Sequence, residues 1–157
     1  MKTTKVKERI TQELLEIRET ISTTESYLKK LEEPSSQPYQ DALIMAISLC
    51  LHSFYTGVER IFQFIARLID YVEPTGENWH QKLLEQMTLT VPDVRFQVIS
   101  ESTQISLDEF RRIRHVVRSV YAYKLEIEPV LELANKATIL SQTLEREVNH
   151  FLESLPK

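Results

Sequence analysis

The sequence predicts an all-α fold: an up-and-down bundle of four long helices plus one short helix, in a single domain over residues 1–157. Three observations predict it. Apolar residues recur at three- and four-residue steps along most of the chain, the period of one face of an α-helix. Six prolines (Pro34, Pro38, Pro74, Pro92, Pro129, Pro156) stand mostly between these stretches. A proline inside a helix costs about 3 kcal/mol, so they mark ends. Only two glycines occur, Gly57 and Gly76, too few for a turn-dense β architecture. With 42% apolar and 27% charged residues, the chain can bury one core.

The first helix, about Lys5 to Leu31, places Val6, Ile10, Leu14, Ile17, Ile21, Leu28 and Leu31 on one stripe, with Glu and Lys filling the other positions. Residues 34–38 (PSSQP) form a tight connection. The second helix, Tyr39 to Val72, is apolar on nearly all sides, which suits the centre of a bundle or a face shared with a second subunit. Gly57 inside it costs about 1 kcal/mol relative to alanine and points to a close helix crossing, within the bundle or between copies. A short third helix runs from Trp79 to about Leu89, with Asn78 as its N-cap. Residues 90–100 (TVPDVRFQVIS) read as a loop. Ser106 caps a fourth helix, with Glu109 at the capping-box position, that continues to about Leu125. Pro129 sits in the first turn of a fifth helix ending near Leu155.

Composition narrows the function. A net charge of −4 and a pI near 5.6 argue against broad nucleic-acid coating, while leaving room for a local basic site. The scarcity of glycine excludes phosphate loops and dinucleotide fingerprints. One cysteine, Cys50, excludes an internal disulfide and a Cys-based zinc motif. The four histidines show neither i, i+4 pairing nor an H-E-x-x-H pattern, so no metal and no cofactor is expected. The charged N-terminus lacks the apolar stretch of a signal peptide, and the longest apolar run, Ala42–Leu51, is about half of what a bilayer requires. A cytoplasmic protein without a membrane role is the expectation.

Chemistry concentrates in the fourth helix, EFRRIRHVVRSVYAYKL at 109–125. At about 100° per residue, Phe110, Ile113, Val116, Val117 and Val120 fall on one side and Arg111, Arg114, His115 and Arg118 on the other. Asp108 and Glu109 lie within reach of Arg111 and Arg112, whereas Arg114 and Arg118 have no acid three or four positions away. Two readings follow. In one, Arg114 and Arg118 meet carboxylates on a neighbouring helix, Glu59 first among them because it interrupts the apolar second helix. In the other, the strip stands unneutralised and receives a phosphate, whose oxygens suit the guanidinium fork. His52, beside Phe54 and Tyr55, packs or lines the same cleft with Glu59. His80 caps or packs at a helix start, and His150 is a surface residue.

The segment Arg114-His-Val-Val-Arg-Ser119-Val-Tyr121 resembles the signature of the HEPN superfamily and of HepT-like proteins: an arginine, four to six residues, a histidine, any residue, then a tyrosine. Residues 52–87 are similar to a HepT-like subgroup as well. Here the histidine position holds Ser119. The resemblance implies a helical homodimer whose motif helices meet at a cleft, metal-independent cleavage of RNA as a toxin, and a minimal nucleotidyltransferase antitoxin that adds AMP to the motif tyrosine. On that basis Arg114 binds or polarises the scissile phosphate and Tyr121 is the AMP acceptor, while Arg111 and Arg118 of the cationic strip are the candidate phosphate and RNA contacts. Serine carries no proton at neutral pH without an activator, so His115 is the substitute for the proton transfer that Ser119 has given up. The rival readings are a noncatalytic subunit binding a nucleotide or the nucleotidyltransferase, and a scaffold whose arginines are saturated by carboxylates.

Overall fold

The stripe Val6, Ile10, Leu14, Ile17 and Ile21 winds into α1 (Lys2–Leu31) and is buried along its length. The computed structural model describes residues 2–119, 124 and 126–157, the side chains of 118 and 119 excepted. Ser36 caps α2 (Gln37–Ile65), its hydroxyl accepting from the Tyr39 amide, and Pro38 occupies the first turn rather than ending the connection before it. After Ile65 the helix widens into a π-helical turn, Ala66–Asp70, and stops at Tyr71, whose φ of 55° is left-handed. The uniform helix expected through Val72 thus ends at Asp70. The short α3 (Trp79–Gln86) begins after Asn78, but that side chain makes no capping bond.

The fourth helix differs most from expectation. Helix α4 (Glu101–Ser119) starts five residues before Ser106. Ser100 is the residue that caps it: its hydroxyl accepts from the Thr103 amide at 3.2 Å and donates to Glu147 at 2.8 Å. Thr103 also donates to Glu147, so a carboxylate from the last helix sits at the positive end of α4. Helix α5 (Ile127–Ser154) carries Pro129 in its first turn.

Helices α1 and α2 form an antiparallel hairpin, since Lys2 meets Tyr71, Glu13 meets Arg60 and Ile17 meets Gly57. Helix α5 runs against α1 through Arg18–Glu145 and Glu25–Thr138, and against α4 through Thr103–Glu147 and Glu109–Lys136. These pairings give the up-and-down order. Helix α2 touches every other helix and supplies the large buried side chains Phe54, Tyr55 and Phe62, each contributing roughly 1.5–3 kcal/mol by burial. Phe54 meets Phe110 of α4 edge to face at 5.3 Å. No strand is present among the described residues; the 90–100 loop is closed by one isolated bridge, Val91 to Arg95. The span Gln37–Asp70 is long and apolar enough by composition to cross a membrane, and 50% of its most apolar stretch is buried in the bundle.

Two contacts position the site. Gly57 lets α1 close on α2: a Cβ there would stand 2.9 Å from the Ile17 Cγ1. The other is a buried ion pair between Asp70, in the π-helical turn, and Arg95 of the loop, with side chains 3% and 0% exposed. Arg95 also donates to the carbonyls of Gln86, Leu89 and Phe96, so one guanidinium ties the end of α3 and the loop to the end of α2.

Candidate functional site

Thr103, Leu107, Phe110 and Arg114 follow one another at steps of three or four, and all four are buried. The inward face of α4 is therefore rotated by about a quarter turn from the stripe expected from Phe110, Ile113, Val116 and Val117. Val116 is 41% exposed, whereas Arg114 is 6% exposed, which corrects its placement on the wet side. The physical reason is Glu59 on α2. Arg114 Nη1 donates to Glu59 Oε1 at 3.0 Å, and Nη2 lies 3.4 Å from Oε2, a forked pairing between buried groups. Of the two readings of this arginine, the neighbouring carboxylate is the one observed, and the expectation of an unneutralised Arg114 is corrected. Thr56 Oγ1 stands 3.5 Å from Nη1, and the guanidinium lies over the Tyr55 ring, 5.1 Å from its centroid. Burial first, then the Glu59 charge, pushes the Tyr55 hydroxyl well above its ordinary value.

The third member of this cluster is His80, expected from the sequence to cap or pack at a helix start. Its Nδ1 lies 2.6 Å from Glu59 Oε2 and 3.0 Å from Arg114 Nη2. An ionised carboxylate offers no hydrogen, so the 2.6 Å approach places the ring proton on Nδ1, donating to Glu59. The arginine then stands beside that nitrogen rather than donating to it. Trp79 stacks on the imidazole at 3.6 Å between ring centroids, fixing the ring plane. His80 does pack on its neighbour, but its polar partners are 21 and 34 residues away in sequence, a proximity no local spacing encodes.

Beside the cluster opens a cavity of about 220 Å³ between the start of α3 and α4, lined by Glu77, His80, Arg111, Arg114 and His115 among others. Arg111 donates to Asp108 at 2.7 Å, as its sequence spacing allows. The exposed His115 shares the cavity wall with Arg114 and Arg111, so three of the expected residues converge there. His52 does not line it; this residue is half-buried one turn before Thr56, whose hydroxyl donates to the His52 carbonyl. Tyr121 lies outside the described residues, as do the side chains of Arg118 and Ser119. No group of three or more His, Cys, Asp or Glu arranged for a metal ion occurs among the described residues. A larger recess of about 450 Å³ between α4 and α5 has only Glu109 and Lys136 as charged lining residues, 3.8 Å apart, and brings no reactive groups together.

No curated protein and no solved structure matches the chain. A family model described as HepT-like protein matches residues 46–155, from within α2 past the end of α5. That span takes in Glu59, His80 and Arg114 and covers well over half of the sequence, so the chain belongs to the HepT-like family.

Proposed function

We propose that this HepT-like chain, as one domain over residues 1–157, is an RNA-cleaving toxin or a weakened descendant of one, with the cavity between α3 and α4 as its cutting site. The observation that supports this best is the convergence of Arg111, Arg114 and two imidazoles, His80 and His115, on one recess. Cleaving RNA through its own 2′-hydroxyl requires a proton acceptor, a proton donor and charge stabilisation at phosphorus, and this set of side chains contains those functions. Arg114 enters the reaction already held by Glu59, so it orients a phosphate through the N–H groups that the carboxylate does not use. In the sequence Arg118 is a further candidate contact for RNA, Ser119 stands where the family motif has histidine, and Tyr121 is the AMP acceptor for a minimal nucleotidyltransferase antitoxin. The protein works in the cytoplasm as a homodimer. Met45 and Leu49, 46% and 64% exposed one turn apart on α2, support self-association through that helix.

A second reading is a noncatalytic subunit that binds a nucleotide or the nucleotidyltransferase. It is favoured by the pairing of Arg114 with Glu59 and of Arg111 with Asp108, which lowers the positive charge of the recess. Growth on expression alone, and rescue by the adjacent gene, separates the two. The first reading expects arrested growth, rescue, and addition of one AMP to Tyr121 that Tyr121→Phe abolishes. Unimpaired growth together with RNA left intact by the purified protein would leave the binding subunit standing.

A further inference from the structure

We propose that His80 is the proton-accepting residue of this site, supplying from α3 the imidazole that Ser119 does not. The proposal rests on the RNA-cleavage reading. His80 is the ring that the fold has oriented: Nδ1–H donates to the buried Glu59 at 2.6 Å, Trp79 stacks on one face, and the residue lines the cavity shared with Arg114. With Nδ1 engaged, Nε2 is the ring nitrogen left for a ligand, and the carboxylate compensates the charge the ring acquires on taking a proton. Glu59 thus holds both an arginine, forked across its two oxygens, and a histidine, on Oε2, which fixes the distance between the group that stabilises charge and the group that moves the proton. The charged and titratable groups around His80 are Glu59 from α2, Arg114, Arg111 and His115 from α4, and Glu77 from its own segment.

In the step, Nε2 takes the proton of the ribose 2′-hydroxyl and the 2′-oxygen attacks the adjacent phosphorus. The bond from phosphorus to O5′ breaks, and the departing oxygen takes a proton from water. The products are a 2′,3′-cyclic phosphate and a 5′-hydroxyl, and His80 returns its proton to solvent.

Single-turnover cleavage of a mixed-sequence RNA by the purified full chain tests this, with His80→Gln as the variant and His150→Gln on the exposed end of α5 as the control. The expected result is a loss of about 100-fold or more for His80→Gln, RNA affinity within about threefold of wild type, partial restoration by added imidazole, and no change for His150→Gln. Cleavage by His80→Gln within about threefold of wild type would overturn the role of His80 while leaving the RNA-cleavage reading intact. A loss that imidazole does not restore, accompanied by weaker RNA binding or a lower melting temperature, would also overturn it, because that is what a structural residue does. A wild-type protein inert on RNA would remove both. Carbethoxylation of the unmutated protein provides a second measurement: inactivation should track modification of His80 in peptide maps, and inactivation tracking His115 instead would reverse the assignment.

Discussion

Glu59 receives the Arg114 guanidinium fork on both carboxylate oxygens and the His80 imidazole on Oε2; Glu59 and Arg114 are buried, while His80 stays partly open to the cavity. Glu59→Gln keeps the volume but strands the Arg114 charge among buried groups, a loss of about 3–5 kcal/mol. For a domain of this size that corresponds to a melting temperature lower by roughly 10 °C. Removing both charges in Glu59→Leu/Arg114→Met should recover most of the difference. Thermal melts of the three proteins check this, and an unchanged melt for Glu59→Gln would mean that the pair does not join α2 to α4. Tyr55 supplies a prediction in pH. Its hydroxyl is held neutral in the fold, chiefly by burial and next by Glu59, while the unfolded chain ionises near pH 10. The folded state therefore binds that proton more tightly, and stability that is whole below about pH 10 falls as the pH rises above it. The urea midpoint of the wild type should drop more steeply on that limb than that of Tyr55→Phe. At this scale the sequence shows Glu59 as an acid out of place in an apolar helix, and from that its pairing with Arg114 is legible. His80 is not, because its partners come from α2 and α4 and no spacing within α3 points to them.

Among the elements, the hairpin of α1 and α2 depends on a missing methyl. Gly57→Ala gains about 1 kcal/mol of helix propensity but presses a Cβ to within 2.9 Å of Ile17, and overpacking of that kind costs about 1–3 kcal/mol. The net effect should be destabilising in the wild type and should reverse in an Ile17→Ala background, a coupling that denaturant titrations of the four-protein cycle measure. The Asp70–Arg95 pair makes an element-scale prediction of a different kind. Arg95→Met removes the cation from a buried carboxylate and leaves the carbonyls of Gln86, Leu89 and Phe96 without that donor. Hydrogen exchange should quicken over residues 88–98 by at least tenfold while α5 keeps its protection; equal acceleration in both would mean that the pair supports the whole bundle instead. Helix positions followed from proline placement and the 3.6-residue period, which are local. The start and rotation of α4 did not. Ser106 and Glu109 imitate a capping box, but the helix begins at the Ser100 cap because Glu147, far along the chain, accepts from both Ser100 and Thr103. Val116 and Ile113 dominate the apolar pattern of α4, yet the face that turns inward is the one whose arginine has a counter-charge waiting.

For the molecule as a whole, the proposed homodimer is the property most open to a direct test. Leu49→Glu places a charge on the exposed α2 stripe without touching the core. Sedimentation should show two copies for the wild type and one for the variant, with equal helicity; a wild type that sediments as one copy would remove the dimer from the proposal. The bundle was legible because its determinants, amphipathic stripes and breaks, repeat along the chain; the Glu59, His80 and Arg114 cluster beside the recess was not, because three helices contribute to it. That origin has a consequence for how the recess meets a ligand. Arg114 is locked by Glu59, Tyr55 and the Glu147-anchored start of its helix before anything binds. A free arginine side chain carries about 2 kcal/mol of rotational freedom, and here that freedom is lost during folding rather than at encounter. On the proposed RNA-cleavage reading, a phosphate arriving at this surface would meet a group already aimed, and selectivity would lie in which shapes fit around a fixed charge, not in how far the protein bends to meet them.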